Sequence, residues 1–297
     1  MSKHRCGMVA VIGRPNVGKS TLINAVMGRK VSIVTAKPQT TRHRILAVHT
    51  ASDAQIIFVD TPGLHRKAVK AMNRVMNRTA ANALADADLV LFVTDVTHWT
   101  SEDEDVLRRL ETCHAPVVAL LNKVDKVHPK EKLLEALATM AARHDFAQVV
   151  PISALKFDNL DQLMAMIPDF LPESPPLFPA EMHTDRSADF HASEVIREKL
   201  TLLLHQELPY GLTVQIERFL TEERGVTINA VIWVERDSQK GIVVGKNGGV
   251  LKKVGRAARL EIAEQLRRPV HLELWVKVKN NWADNEKDLL SLGFDVP

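Results

Sequence analysis

MVAVIGRPNVGKSTL, residues 8–22, decides the fold of the first part of the chain. The apolar run Met8 to Ile12 reads as a buried strand, breaks at Gly13, and gives way after Gly18 to a helical pattern. Strand, glycine-bounded loop and helix in that order, with Lys19 and Ser20 where the helix starts, make a phosphate-binding loop. The residue types follow from the chemistry. Glycines let successive backbone N–H groups wrap an anion against the helix N-terminus, Lys19 reaches the β- and γ-phosphates, and Ser20 offers its hydroxyl to Mg2+. Gly13, Arg14, Pro15, Asn16, Val17, Gly18, Lys19, Ser20 and Thr21 are the expected contacts.

Further strands are expected at Ile45 to His49, Ile56 to Val59, Leu89 to Val93, Val117 to Leu121 and Val149 to Ile152, with helical stretches between them. That alternation predicts an α/β domain with a mostly parallel sheet over residues 1–171. In the crossover helix Glu131 to His144, the apolar face is read as Leu133, Leu134, Leu137 and Met140.

Three of these strands end in chemistry. Asn122-Lys123-Val124-Asp125 follows VVALL, and the Asp125 carboxylate can accept two hydrogen bonds from the guanine ring N–H and amine. Adenine would leave that charge unpaired, so the expected ligands are GTP and GDP rather than ATP. Asp60-Thr61-Pro62-Gly63, after IIFV, places a carboxylate for Mg2+ and an N–H at Gly63 for the γ-phosphate, with Leu64 next in the chain. Ser153-Ala154 ends the last strand where a base contact belongs. Between strands one and two, Gln39-Thr40-Thr41-Arg42 offers hydroxyls to the metal; Thr41 is the expected ligand, with Thr40 the alternative.

With 39 basic and 36 acidic side chains the net charge is only +3, so any basic surface must be local. Cys6 and Cys113 are the only cysteines and form no metal-ligand spacing; a reduced, cytoplasmic setting fits them. No signal-peptide core and no spanning apolar run is read, although peripheral membrane contact stays open. His43, His65 and His98 are read as solvated loop residues, and Ser101-Glu102-Asp103-Glu104-Asp105 as a helix start.

Pro172, Pro175, Pro176 and Pro179 mark residues 172–184 as a linker. Residues 185–297 then read as α+β: a helix near Ser193 to Gln206, strands at Leu212 to Leu220 and Val226 to Val234, a glycine turn, a helix from Val250 to Leu266 and a strand at Val270 to Val278. From Lys240 to Lys279 there are ten Lys/Arg against three Asp/Glu, a net +7. Gly245-Lys246-Asn247-Gly248 fits the loop with which KH domains clamp about four nucleotides. Val250, Val254, Ala258 and Ile262 recur as a core stripe, leaving Lys252, Lys253 and Arg256 for phosphates, with Arg259 beyond. Trp275 and Trp282 are candidates for stacking on bases, and Trp275 is read first as a core-facing strand residue.

GRPNVGKSTL with QTTR, DTPGLH and NKVD resembles the Era family of GTPases, and LPY, ERF and HLELWVKVKNNW resemble its C-terminal domain, so the resemblance spans nearly the whole chain. It implies a type II KH fold over about residues 200–283. It implies a Mg-dependent GTPase switch that binds small-subunit ribosomal RNA near its 3′ end and assists maturation of the small ribosomal subunit. It also implies that Asn16 helps hold K+ in place of an arginine finger, because Leu64 stands where Ras-like relatives carry the glutamine that orients water. Asn16, Lys19, Thr41 and Gly63 would then carry catalysis in a protein expected to be a monomer. The alternative is a membrane-associated GTPase whose basic domain meets anionic lipid or protein.

Overall fold

Six apolar runs become one sheet, strongly buried because helices cover both faces. The computed structural model describes residues 4–63, 70–204 and 211–294; Leu64, His65 and the Leu208-Pro209-Tyr210 stretch lie outside them. The described chain divides into two units, residues 1–68 with 76–185, and residues 69–75 with 186–297.

In the first unit the strands are β1 (Arg5–Ile12), β2 (Ile45–Thr50), β3 (Ala54–Asp60), β4 (Leu89–Asp95), β5 (Val117–Asn122) and β6 (Gln148–Pro151). Their order is β2-β3-β1-β4-β5-β6, with only β2 antiparallel to its neighbour. Because β3 lies on one side of β1 and β4 on the other, the loops leaving the carboxyl ends diverge there and open a crevice. The helices are α1 (Lys19–Met27), α2 (Ala71–Ala85), α3 (Ser101–Leu110), α4 (Glu131–Ala141) and α5 (Leu160–Met166). Val106, Leu107 and Leu110 of α3 pack on Ile12, Val90 and Phe92, while Ala83 of α2 packs on Leu46, Ile57 and Val59. Thr100 caps α3 in a capping box with Asp103, as the acidic run implied. On α4 only part of the expected face is buried. Met140 is enclosed, whereas Leu134 is 71% exposed because it sits one helical step off the stripe through Leu133, Leu137 and Met140.

The proline-rich stretch after α5 lies along the first unit. Cys6 N–H donates to the Pro172 carbonyl at 3.1 Å and Val48 N–H to the His183 carbonyl at 3.0 Å. Gln55, fully buried on β3, fastens its middle: the amide donates to the Phe178 carbonyl at 2.8 Å and accepts from Leu177 and Phe178 N–H at 2.8 and 2.9 Å. Proline-rich chain cannot pair as a strand, so a side-chain amide does the pairing instead.

The second unit holds β7 (Leu212–Glu222), β8 (Gly225–Val234) and β9 (Val270–Val278), with β7–β8 antiparallel and β8–β9 parallel. One face is covered by α6 (Ala188–Leu203) and α8 (Gly249–Leu266), whose Val254, Ala258 and Ile262 bury against Ile196, Leu200, Ile228 and Ile232. A further helix, α7 (Asp237–Val244), precedes the glycine turn where a plain turn was expected. Its sequence, DSQKGIVV, carries a glycine and two valines, so local propensity hides it and tertiary packing of Val243 supplies what propensity lacks.

Both tryptophan expectations change. Trp275 is 42% exposed, on the sheet face opposite Val276, rather than core-facing. Trp282 is wholly buried, its indole N–H donating to the Gly211 carbonyl at 3.2 Å, and cannot stack on a base. It centres a cluster with Ala71, Met72 and Val75 of α2 and with Leu289 of α9 (Glu286–Ser291). Asp284 caps this end of α2, accepting from Ala71 N–H at 2.9 Å. Thus α2 starts in the second unit and from Met76 belongs to the first. Among the described residues no helix is long and apolar enough to cross a membrane.

Gln55→Leu strips partners from three backbone groups of the strap. It should lower stability by about 3 kcal/mol in urea unfolding; a loss under about 1 kcal/mol would show that the strap is not held there.

Candidate functional site: a phosphate cradle and a basic groove

The phosphate-binding loop ends on Gly18, whose φ of 107° only glycine adopts freely and where a Cβ would run into the Asn122 amide. Lys19 then opens α1 with its side chain folded back over the loop, the ammonium donating to the Gly13 carbonyl at 2.9 Å and the Arg14 carbonyl at 3.0 Å. Burial lowers its pKa to about 8, opposed chiefly by the charge of Asp60.

Next to it three oxygens converge. Ser20 Oγ lies 2.9 Å from Thr41 Oγ1 and donates to Asp60 Oδ2 at 3.0 Å. Asp60 is wholly buried and its Oδ1 has no hydrogen-bond partner among the described residues. Burial pushes its carboxyl pKa up, while the Ser32 hydroxyl, the Lys19 charge, Ser20 and Thr41 pull it back. An orphaned carboxylate oxygen beside two hydroxyls is the donor set of a hard divalent cation. The geometry also separates the two threonines: Thr40 Oγ1 is turned onto Thr35 Oγ1 and the Lys37 carbonyl at 2.6 and 2.7 Å, whereas Thr41 joins the cluster.

On the base side, Asn122 is a hub. Its Nδ2 donates to the Val17 carbonyl at 2.8 Å, and its Oδ1 accepts from Lys123 N–H at 2.8 Å and Ala154 N–H at 3.0 Å. Ala154, expected to meet a base through its backbone, therefore spends its N–H on this residue. Lys123 Nζ reaches the Asn16 carbonyl at 2.8 Å and Asp95 Oδ2 at 2.7 Å. Although burial pushes the Asp95 carboxyl up, hydrogen bonds from Lys123 and Thr97 outweigh it and hold the pKa below the usual range. Asp125 Oδ1 accepts from Ser153 Oγ at 2.6 Å, which orients the carboxylate, and Val124 N–H donates to the Ile152 carbonyl at 3.2 Å.

A groove of about 440 Å3 joins these parts, lined by Pro15, Thr21, Thr41, Gly63 and Leu155 among others. Gly63 lies tight against Pro15, a Cβ there falling 3.0 Å from the ring, and Pro62 is buried behind it. Some expected contacts are turned elsewhere. The Arg14 guanidinium pairs with Asp103 at 2.8 Å and donates to the His98 carbonyl at 3.0 Å, Thr61 donates its hydroxyl to the Val11 carbonyl at 3.0 Å, and Val17 is fully buried. Asn16 donates its amide to the Ala36 carbonyl at 2.9 Å. His43, read as solvated, is buried. Sequence reading passed over Asp95 and took Asp103 only as part of a helix start; the position of Asp95 at a strand's carboxyl end, matching that of Asp60, was its one signal.

In the second unit Gly245 (φ 73°) turns the chain between α7 and α8, and a Cβ there would strike the Val250 backbone nitrogen at 2.9 Å. Its glycine serves the turn itself. Lys246, Asn247 and Gly248 form one turn of 3-10 helix leading into α8. Lys252, Arg256 and Arg259 line a groove of about 510 Å3 between α8 and β9.

Residues 8–123 match the family described as 50S ribosome-binding GTPase, and residues 207–283 match the KH domain family. The GTPase Era of Cronobacter sakazakii (strain ATCC BAA-894) is 49% identical over 294 residues, 99% of this chain and 98% of its own. That of Vibrio vulnificus (strain YJ016) is 50% identical over 291 residues, 97% of this chain and 91% of its own. The chain belongs to the Era GTPase family. A solved structure of Era in complex with MgGDPNP and nucleotides 1506–1542 of 16S ribosomal RNA has a TM-score of 0.95 at 38% identity, over 99% of this chain and 100% of that one. A variant of Aquifex aeolicus Era bound to GDP and AlF4− has a TM-score of 0.93 at 38% identity, over 98% and 100%. As an Era GTPase, the chain couples a GTP-hydrolysing domain to a KH domain.

With a polyphosphate against Lys19, nucleotide binding would depend on pH. Burial lowers the Lys19 pKa to about 8 in the free protein and an anion against the ammonium would keep the proton bound, so above that pH binding would take up a proton and weaken. GTP affinity should fall about tenfold from pH 7 to pH 9; a flat profile in titration calorimetry would place the Lys19 pKa well above 8.

Proposed function

We propose that the first unit binds GTP with Mg2+ and hydrolyses it, and that the second binds small-subunit ribosomal RNA near its 3′ end according to the nucleotide state. The observation that carries the reading is the convergence of Ser20, Thr41 and the orphaned Asp60 oxygen beside buried Lys19. In this reading Ser20 and Thr41 hold Mg2+ directly and Asp60 holds it through water. When bound, Mg2+ neutralises charge on the β- and γ-phosphates. Lys19 exchanges the loop carbonyls for phosphate oxygens, and the backbone of Gly13 to Ser20 cradles the polyphosphate. Asp125, oriented by Ser153, selects guanine.

Leu64 cannot orient water, so the backbone of Thr41 and Gly63 takes that task. Asn16, its amide fixed on Ala36, presents its side-chain oxygen to K+, which would serve as the missing positive charge. Support for nucleotide-gated RNA binding comes from the relative solved with both MgGDPNP and 16S rRNA. The setting is the cytoplasm and the partner the maturing small ribosomal subunit; contact with the membrane face is the competing use of the cationic surface.

GTP hydrolysis should run faster in K+ than in Na+, and Asn16→Ala should erase the difference. Stimulation that survives the substitution would put the ion elsewhere. For RNA, replacing Lys246 and Asn247 together by Asp spares both turn glycines. A 16S rRNA 3′-end oligonucleotide should bind wild type about tenfold more tightly with a non-hydrolysable GTP analogue than with GDP, within the usual range of coupling energies. The double variant should lose that binding and keep GTP hydrolysis. Wild type that ignores the oligonucleotide but sediments with anionic vesicles would assign the basic surface to lipid.

A further inference from the structure

The loop over residues 28–44 joins α1 to β2 without a helix or strand of its own, yet its early part is fixed. Asn24 does the fixing. Its Nδ2 donates to the Ser32 carbonyl at 2.7 Å, and its Oδ1 accepts from the N–H groups of Val31 and Ser32 at 2.8 and 3.0 Å. Val31 and Ile33 are buried on either side of Ser32 in the chain. One side-chain amide thus satisfies both backbone groups of Ser32, as a neighbouring strand would. Asn24 stands one helical turn beyond Ser20 on α1, at the step of four that puts the two on the same face.

What Asn24 leaves over is the Ser32 side chain. It is 2% exposed, and its hydroxyl has no hydrogen-bond partner among the described residues. Such a buried group costs stability unless something else comes to it. Burial raises the Asp60 carboxyl pKa and the Ser32 hydroxyl leads the groups that pull it back, so the two lie close. Neither Ser32 Oγ nor Asp60 Oδ1, however, completes a hydrogen bond among the described residues. Two buried oxygens without partners therefore stand beside the hydroxyls of Ser20 and Thr41. Water bound to a cation turns a lone pair to the metal and has two hydrogens to donate, so it needs two acceptors of this kind.

We propose that Ser32 is a positioning residue of the metal site: with a divalent cation on Ser20 and Thr41, the Ser32 hydroxyl and Asp60 Oδ1 accept the two hydrogens of one metal-bound water, and Asn24 holds Ser32 in place for it. The proposal rests on the metal–nucleotide reading above. It ties the loop between α1 and β2 to the ion at two points, through water at Ser32 and directly at Thr41.

The test reads metal binding directly. Mn2+ replaces Mg2+, and free Mn2+ is followed by electron paramagnetic resonance as it is titrated into the full-length protein with a non-hydrolysable GTP analogue bound. Ser32→Ala should weaken Mn2+ binding about tenfold, as loss of a group that orients a metal's own ligand does. Affinity for the analogue in EDTA should stay the same, and the thermal midpoint of the metal-free protein should hold or rise, because the substitution removes a polar atom that had no partner. Asn24→Ala, deprived of three hydrogen bonds, should lower the midpoint and weaken Mn2+ by a similar factor. The double variant should bind Mn2+ no worse than Ser32→Ala alone, since both changes act through one hydroxyl. Unchanged Mn2+ affinity in Ser32→Ala would overturn the proposal, as would a lowered midpoint in that variant. Losses that add in the double variant would overturn the role given to Asn24. Failure of the metal–nucleotide reading would show separately, as wild type whose binding of the analogue is indifferent to Mn2+.

Discussion

One amide holds the nucleotide site in register. Asn122 takes the carbonyl of Val17 with its nitrogen and the N–H groups of Lys123 and Ala154 with its oxygen, so three loops from the ends of β1, β5 and β6 are fixed to a single planar group. The contact is so close that Gly18 can carry no side chain. Lys123 adds a second brace, from β5 to the Asn16 carbonyl and to Asp95 at the end of β4. Pairs of loops could each shift by a few tenths of an ångström; joined through one buried residue they cannot shift independently. Phosphate recognition and base recognition are thereby held at a set distance before any ligand arrives, which lowers the ordering cost of binding.

The electrostatics of the cradle show what such a frame must contain. Lys19 and Asp60 are both buried, and burial penalises both charges, lowering one pKa and raising the other. Their mutual attraction offsets only part of this. A ligand that brings its own anion to Lys19 and its own cation to Asp60 relieves both penalties together, whereas either alone relieves one. The arrangement of these two groups thus suits a metal–polyphosphate pair, and hydroxyls at Ser20 and Thr41 are donors of the kind that hard cations take.

The first unit was readable because its signals are local. Strand, glycine and helix follow one another within MVAVIGRPNVGKSTL, and the residues that bear charge sit at strand ends marked by apolar runs. Unreadable were the partners that come from elsewhere in the chain. Arg14 looks like a phosphate contact beside Lys19, yet Asp103, 89 residues away, draws it to the start of α3. Asn122 looks like a base contact, but its hydrogen-bonding capacity goes to the loops. Leu134 satisfies a loose apolar stripe and still points to solvent, because periodicity fixes an angle and not the width of the surface that covers it.

In the second unit the same limit applies to charge. The net +7 between Lys240 and Lys279 counts each cation equally, and the carboxylates that neutralise Lys277 and Lys279 lie outside that window, at Glu217 and Asp288. Remove those pairs and the remaining cations run from Lys240 on α7 through Lys246 and α8 to Arg267 and Arg268 just after it. Trp275 escaped for a related reason: alternation along β9 assigns it to one face of the sheet, but only the placement of α6 and α8 tells which face is the core. A sequence can state that a strand has two faces and a helix a cationic stripe. Which face is left open, and which cations remain without partners, is settled by residues tens of positions away, and those are the features on which recognition of a polyanion depends.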